Sequence, residues 1–212
     1  MMARAVPFIL ALVLAACGGA QTEAAKPDPA AAAEAAKPID PKEAAEAAAA
    51  KVLADALAVQ KPEFDAALAA KDNAKLDDLA DAGNGWALHW RAQERLSSQD
   101  FSQQQGGFQD MEAAAAKGVA DAQMWVGAKM AYGLDGYQLK PSSGLKMMER
   151  AARQGDVEAI LAVAQMYAED TFMADKTKAR EWFQRAADKG SDKAKEALAT
   201  LDGKALPEAP AP

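Results

Sequence analysis

Cysteine and histidine each occur once in this chain of 212 residues, and aromatic side chains make up only 6% of it. One cysteine, Cys17, excludes an intrachain disulfide and any cluster of thiolate metal ligands. One histidine, His89, has no second imidazole or thiol with which to share a metal, and as a base it lacks a nucleophile. Glycine-rich phosphate loops and EF-hand spacing are also missing. No segment alternates Val, Ile and Thr with polar residues, so strands are not expected. Cationic excess is lacking too. The formal net charge is −7, which makes nucleic acid an unsuitable partner because phosphate backbones would be repelled. From these absences we expect no catalytic residues, no cofactor and no metal site.

Alanine accounts for much of the 50% hydrophobic content, and it is interspersed with Leu and Met at helical spacing. That composition predicts closely packed helices rather than a thick aromatic core. The N-terminus differs from the rest. Arg4 precedes the apolar run Ala5–Ala16, which is too short to span a bilayer and suits a signal sequence. The run ends in "LAAC", Leu14 to Cys17. This resembles the lipobox of bacterial lipoproteins. The resemblance implies removal of residues 1–16, lipidation of Cys17 and a membrane anchor made by that lipid. Gly18 after the cysteine, where aspartate would signal inner-membrane retention, points to the outer membrane of a Gram-negative cell, on the periplasmic face. Two or more acyl chains anchor stably where one does not. Residues 17–41 are rich in Ala, Pro and Gly and poor in large apolar side chains, so a disordered tether is expected there. Residues 203–212 form a similar tail.

Residues 42–71 read as N-terminal helices, with Val52, Leu53, Ala56, Leu57 and Gln60 at helical spacing. Pro62 is expected to open a second helix there, with Phe64 and Leu68 as an apolar pair. Beyond them the chain repeats. Gly83, Gly118, Gly155 and Gly190 are 35, 37 and 35 residues apart. Four residues before each glycine stand Leu79, Ala114, Ala151 and Ala186, and seven before stand Leu76, Met111, Met148 and Phe183. Four residues after come Ala87, Ala122, Ala159 and Ala194, and nine after come Ala92, Gly127, Ala164 and Ala199. Each glycine suits the left-handed cap of a helix, and small residues at fixed places let helices approach closely. A period near 36 residues means helix–turn–helix units stacked into an α/α solenoid.

The unit around "AARQGDVEAILAVAQMYAEDTFMADKTKAREWFQRAADKG" resembles the Sel-like repeat (SLR) family, relatives of the tetratricopeptide repeat. The features that carry it are Ala159, Val163-Ala164, Tyr167, Lys178-Ala179, Trp182-Phe183, Ala186-Ala187 and Gly190. The preceding unit fits, with Met147-Met148 where the family favours an aromatic pair; the unit from Gly83 to Gly118 is degenerate and Gln-rich. The resemblance covers residues 72–202 and implies an all-α, right-handed superhelix that holds other proteins.

On the first helix of each unit, offsets +3, +7 and +10 from the glycine fall opposite the small-residue face. Trp86, Trp90 and Trp125 occupy such positions, and in TPR-like solenoids that side lines the concave groove. They are the expected partner-binding residues, since tryptophan is enriched among binding anchors. Alternatively, Trp86 and Trp90 cover the N-terminal helices, and Arg91 at a core offset implies a rotated first unit. Ser143 to Lys146 matches S-x-x-K, but the S-D-N and K-T-G elements of penicillin-recognising enzymes are absent, and a serine cap on a helix after Pro141 explains it. The expectation is therefore a non-enzymatic envelope scaffold for an unidentified protein or peptide. The alternatives are a cell-wall or β-lactam-related hydrolase and a non-catalytic peptidoglycan binder.

Overall fold

The computed structural model describes residues 41–168 and 173–203. The expected leader 1–16, lipidated Cys17 and the tether as far as residue 40 lie outside the described residues, as does the tail from residue 204. Among the described residues there are nine helices and no strand. They are α1 (Pro41–Ala70), α2 (Asn73–Asp81), α3 (Gly85–Leu96), α4 (Phe101–Lys117), α5 (Ala120–Tyr132), α6 (Pro141–Ala152), α7 (Val157–Ala168), α8 (Lys176–Asp188) and α9 (Asp192–Leu201). None is long and apolar enough to cross a membrane.

Packing follows chain order. α3 pairs with α4, α5 with α6, and α7 with α8, while each pair stacks on the next and α9 covers the last. The four period-setting glycines all adopt positive φ: 81° at Gly83, 98° at Gly118, 104° at Gly155 and 93° at Gly190. A side chain is strained in that conformation, so glycine is what lets each helix stop and reverse. At three of them the turn is sealed by paired bonds of the Schellman type, as in Gly118 N–H to Ala115 O and Val119 N–H to Ala114 O. The next helix is then opened by a polar side chain in several units. Asn84 accepts from Trp86 N and Ala87 N, Asp156 from Ala159 N, and Ser191 from Ala194 N.

The repeat offsets are the core. Ala87, Ala122 and Ala194 are fully buried, as are Ala114, Ala151 and Ala186, while Leu76, Met111, Met148 and Phe183 fill the space between them. A further recurring position accounts for the closeness of the pairs. Eleven residues before the glycine stand Gly107, Gly144 and the buried Ala179, and the first two face the +9 residues Ala92 and Gly127. A methyl group at Gly144 would fall on the Gly127 carbonyl oxygen and within 2.5 Å of the Ala131 nitrogen. At Gly107 it would stand 3.0 Å from Leu96 N and 3.1 Å from Ala92 O. Backbone therefore packs on backbone, and the Gln-rich first unit keeps this feature despite its degenerate sequence.

Two local expectations are corrected. Pro62 does not start a second helix, since α1 runs unbroken through it for 30 residues. Its inward positions are Leu53, Leu57, Gln60, Phe64 and Ala67, spaced alternately by four and three, whereas Val52, Val59 and Leu68 point to solvent. Packing of that stripe on the body outweighs the single hydrogen bond a proline removes. Nor does Ser142 or Ser143 cap α6. Lys140 is the N-cap without a side-chain bond, and Pro141 takes the first helical position, where its missing N–H costs nothing.

α1 crosses the turns rather than adding a repeat. Gln60 accepts from Gly85 N while its carbonyl accepts from Asn84, both beside the Gly83 turn. Seven residues earlier, Leu53 lies against Gly118, and Leu57 lies against Gly85 between them. Seven helical residues advance about 10.5 Å, close to the spacing of packed helices, so one straight helix meets successive turns.

Candidate partner-binding face

The three tryptophans expected to line a groove are all half-buried, and they stand in different surroundings. Trp86 is tied to α1. Its indole Nε1 donates to Leu57 O at 3.1 Å, and the Lys61 ammonium lies 5.1 Å from the ring centre. That contact is the covering role held open as the alternative for this residue. Trp90, one turn further along α3, packs at the edge of the N-terminal half of the core. Trp125 on α5 joins a cluster that the repeat pattern did not indicate. Its ring lies 5.5 Å from Phe108 of α4 and 6.3 Å, edge-on, from Tyr137 in the loop before α6. The Lys129 ammonium lies over the Trp125 ring, 5.1 Å from its centre, and pairs with Asp135 of that loop. Offset and edge-on ring pairs of this kind add stability beyond area burial.

Between α3 and α5 is an open hollow of about 500 Å³ whose walls include His89, Gln93, Leu96, Met111, Asp121 and Trp125. Three of these six, Gln93, Asp121 and Trp125, hold the +10, +3 and +7 offsets on the first helices of consecutive units, on the side opposite the alanine face. His89 contacts Gln93 Nε2 at 3.4 Å. Burial holds the His89 pKa below the usual imidazole value, with Asp121 opposing the shift. An uncharged imidazole is therefore favoured near neutral pH. Of the remaining groove offsets, Asp121, Glu158, Gln93 and Gln165 are exposed. Ala128 and Ala162 instead pack partly against the C-terminal half of the core, so they are not free surface.

Arg91 occupies the +8 core position without rotating its unit, because Ala87 and Ala92 on the same helix remain fully buried. Its charge is met inside the fold. Nε and Nη2 donate to the two carboxylate oxygens of Asp110 at 2.9 and 3.0 Å, and Nη1 donates to Asp81 at 2.6 Å. Arg95 donates to Asp110 as well, at 2.7 Å. The Arg91 side chain is 11% exposed and that of Asp110 is 9% exposed. The Asp110 hydrogen bonds, and secondarily those of Asp81, hold the Arg91 pKa above its ordinary value. Asp110 was legible in the sequence only as one charged residue in a polar helix. Nothing in the repeat pattern marks it as the partner of a residue 19 positions away.

The remaining chemistry-bearing residues stay dispersed. Ser143 and Lys146 are exposed in the first turns of α6, and Asp77 and Asp78 are exposed on α2. Among the described residues, no three His, Cys, Asp or Glu side chains converge as metal ligands.

No protein-family model matches the chain, and no curated protein matches it. Solved structures do. A Sel1 repeat protein from Oxalobacter formigenes is 26% identical, with a TM-score of 0.53 over 61% of this chain and 98% of that one. A protective antigen present in uropathogenic Escherichia coli strains and displaying an SLR fold is 19% identical, with a TM-score of 0.50. That match covers 61% of this chain but 28% of the antigen, and at this identity it bears on the fold alone. The chain is thus an all-α solenoid of helix pairs, built like the Sel1-repeat proteins it is similar to.

Proposed function

We propose that this chain is a lipid-anchored scaffold of the bacterial outer membrane, holding a protein or peptide partner in the periplasm through its SLR solenoid. The observation that carries the binding part is the hollow between α3 and α5, with Trp125 and the neutral-leaning His89 in its walls. A partly exposed tryptophan beside an open hollow suits a protruding side chain of a partner, and such rigid aromatic anchors lose little entropy on binding. Lipidation at Cys17, residues 17–41 as tether and the periplasmic location rest on the sequence reading of Leu14–Cys17. A non-catalytic role fits side chains that are dispersed rather than convergent.

Two measurements test the reading. Cys17→Ser should abolish palmitate labelling and leave a heavier, unprocessed precursor; equal labelling would refute the anchor. Photo-crosslinking from position 93, at the open side of the hollow, should trap a partner in intact cells and fail to trap it when Trp125 is changed to Ala. Unchanged crosslinks in a folded Trp125→Ala protein would remove Trp125 as an anchor.

A further inference from the structure

A second concavity lies where α1 passes over the Gly118 turn. It is a cleft of about 640 Å³ between α1, α4, α5, α6 and the loop before α6. Leu53, Val126, Met130 and Met147 give it an apolar surface. A neighbouring hollow of about 360 Å³ shares Leu53, Met130, Met147 and Arg150 and continues it along α6. Two methionines in one surface give adaptable packing for side chains of different shape.

The α6 wall of this cleft is cationic, in a chain whose formal net charge is −7. Lys140, Lys146 and Arg150 line it, and among the described residues none of the three makes a side-chain hydrogen bond or ion pair. Most other arginines of the body are committed: Arg91 and Arg95 to Asp110, Arg153 to Glu149 and Arg180 to Asp202. Two acidic groups also line these hollows, Glu112 from α4 in the larger and Glu46 from α1 in the smaller. The Tyr137 hydroxyl is buried beside the Glu112 carboxylate, and burial, with the hydrogen bonding and charge of Glu112, pushes its pKa up.

We infer that this cleft docks an extended acidic peptide segment in which carboxylates alternate with aliphatic side chains. Lys146 and Arg150 are one helical turn apart, about 6 Å along α6. Residues i and i+2 of an extended strand are about 6.8 Å apart and point to one side. Two carboxylates of such a strand therefore match the two cations, and the intervening side chains, pointing the other way, are left for apolar residues of the other helices such as Leu53, Val126 and Met130. This surface is distinct from the tryptophan face, but it rests on the same reading of the chain as a binding scaffold.

The test is fluorescence anisotropy with the detergent-purified full chain. The probe is an eight-residue peptide of alternating glutamate and leucine carrying an uncharged dye. Saturable binding that weakens as salt is raised is expected. It should fall about tenfold or more in Lys146→Glu/Arg150→Glu, and by a smaller factor in the exposed single change Lys146→Glu. Trp90→Ala should bind the peptide as wild type does, provided far-UV circular dichroism shows each variant folded. No binding up to about 1 mM, a range that covers weak specific contacts, would overturn the proposal. So would equal binding of the alternating lysine–leucine peptide, or of phosphatidylglycerol vesicles in place of the peptide. Insensitivity to both charge reversals with loss on Trp90→Ala would remove the cleft but leave the scaffold reading standing.

Discussion

Asp110→Ala is the most revealing single change in this fold, because it strips the partner from a cation held at a core position. Arg91 is 11% exposed and loses two hydrogen bonds, those at 2.9 and 3.0 Å, keeping the Nη1 bonds to Asp81 and, at 3.5 Å, to the Asp77 carbonyl. Asp81 is 74% exposed and already holds that one nitrogen, so it does not replace what Asp110 gives. Removing one member of a buried pair costs about 3–5 kcal/mol. The surviving Asp81 contact and the freedom of Arg95, 34% exposed, to turn toward water place the expected loss near 3 kcal/mol. Arg91→Leu restores the apolar residue that the +8 position holds as Val126 and Val163, but leaves Asp110 with Arg95 alone. It should cost about 1–3 kcal/mol. Combining Arg91→Leu with Asp110→Ala removes both charges together, and apolar replacement of both members of a buried pair is often neutral or stabilising. The double variant should therefore be more stable than the Asp110→Ala single. Urea unfolding followed by circular dichroism at 222 nm measures each value. If both single changes cost under about 1 kcal/mol, or if their effects simply add in the double variant, the pair is not the buried, coupled unit inferred from its geometry.

Three further outcomes follow from the same packing. Gly144→Ala should destabilise by about 1–3 kcal/mol or more, since its methyl group meets backbone of α5 rather than a side chain that can move; a shift within about 0.5 kcal/mol would mean that the pair is not in close contact. Trp125→Ala should cost about 1–3 kcal/mol, less than a fully buried tryptophan, because the ring is half-exposed while it still contacts Phe108 and Tyr137. Complete unfolding on that change would assign Trp125 to the core. For His89 the folded pKa is lowered by burial, so the unfolded chain binds more protons as pH falls. Its contribution is full above the unfolded value near 6.5 and is lost as pH drops through that value toward the lower folded one. The stability of wild type measured against His89→Gln should therefore decline below about pH 6.5, and parallel pH curves would show that His89 is not desolvated.

The sequence by itself determined the solenoid. Its signal is local and repeated: a glycine that must take positive φ, with alanines at fixed helical offsets on both sides of it. The offsets −7, −4 and +4 are buried in every unit as read, because each depends on the period of one helix and the length of one turn, whereas Ala128 and Ala162 at groove offsets pack partly against the core. The conformational cost of a non-glycine cap and the steric limit on helix approach act on every unit alike. The lipid anchor proposed at Cys17 rests on the sequence of Leu14–Cys17 alone, which lies outside the described residues. What tertiary structure decided are the contacts between residues far apart in sequence. Arg91 at a core offset read as a sign of rotation, yet Asp110 of the next helix neutralises it in place. Pro62 read as a helix start, yet the stripe from Leu53 to Ala67 packs on the body and holds α1 continuous through it. For Trp86 the sequence left groove surface and cover for the N-terminal helices both open, and the Leu57 carbonyl and Lys61 tie its ring to α1. Periodicity reports which face of a helix is buried, and only the packed chain settles what that face is buried against.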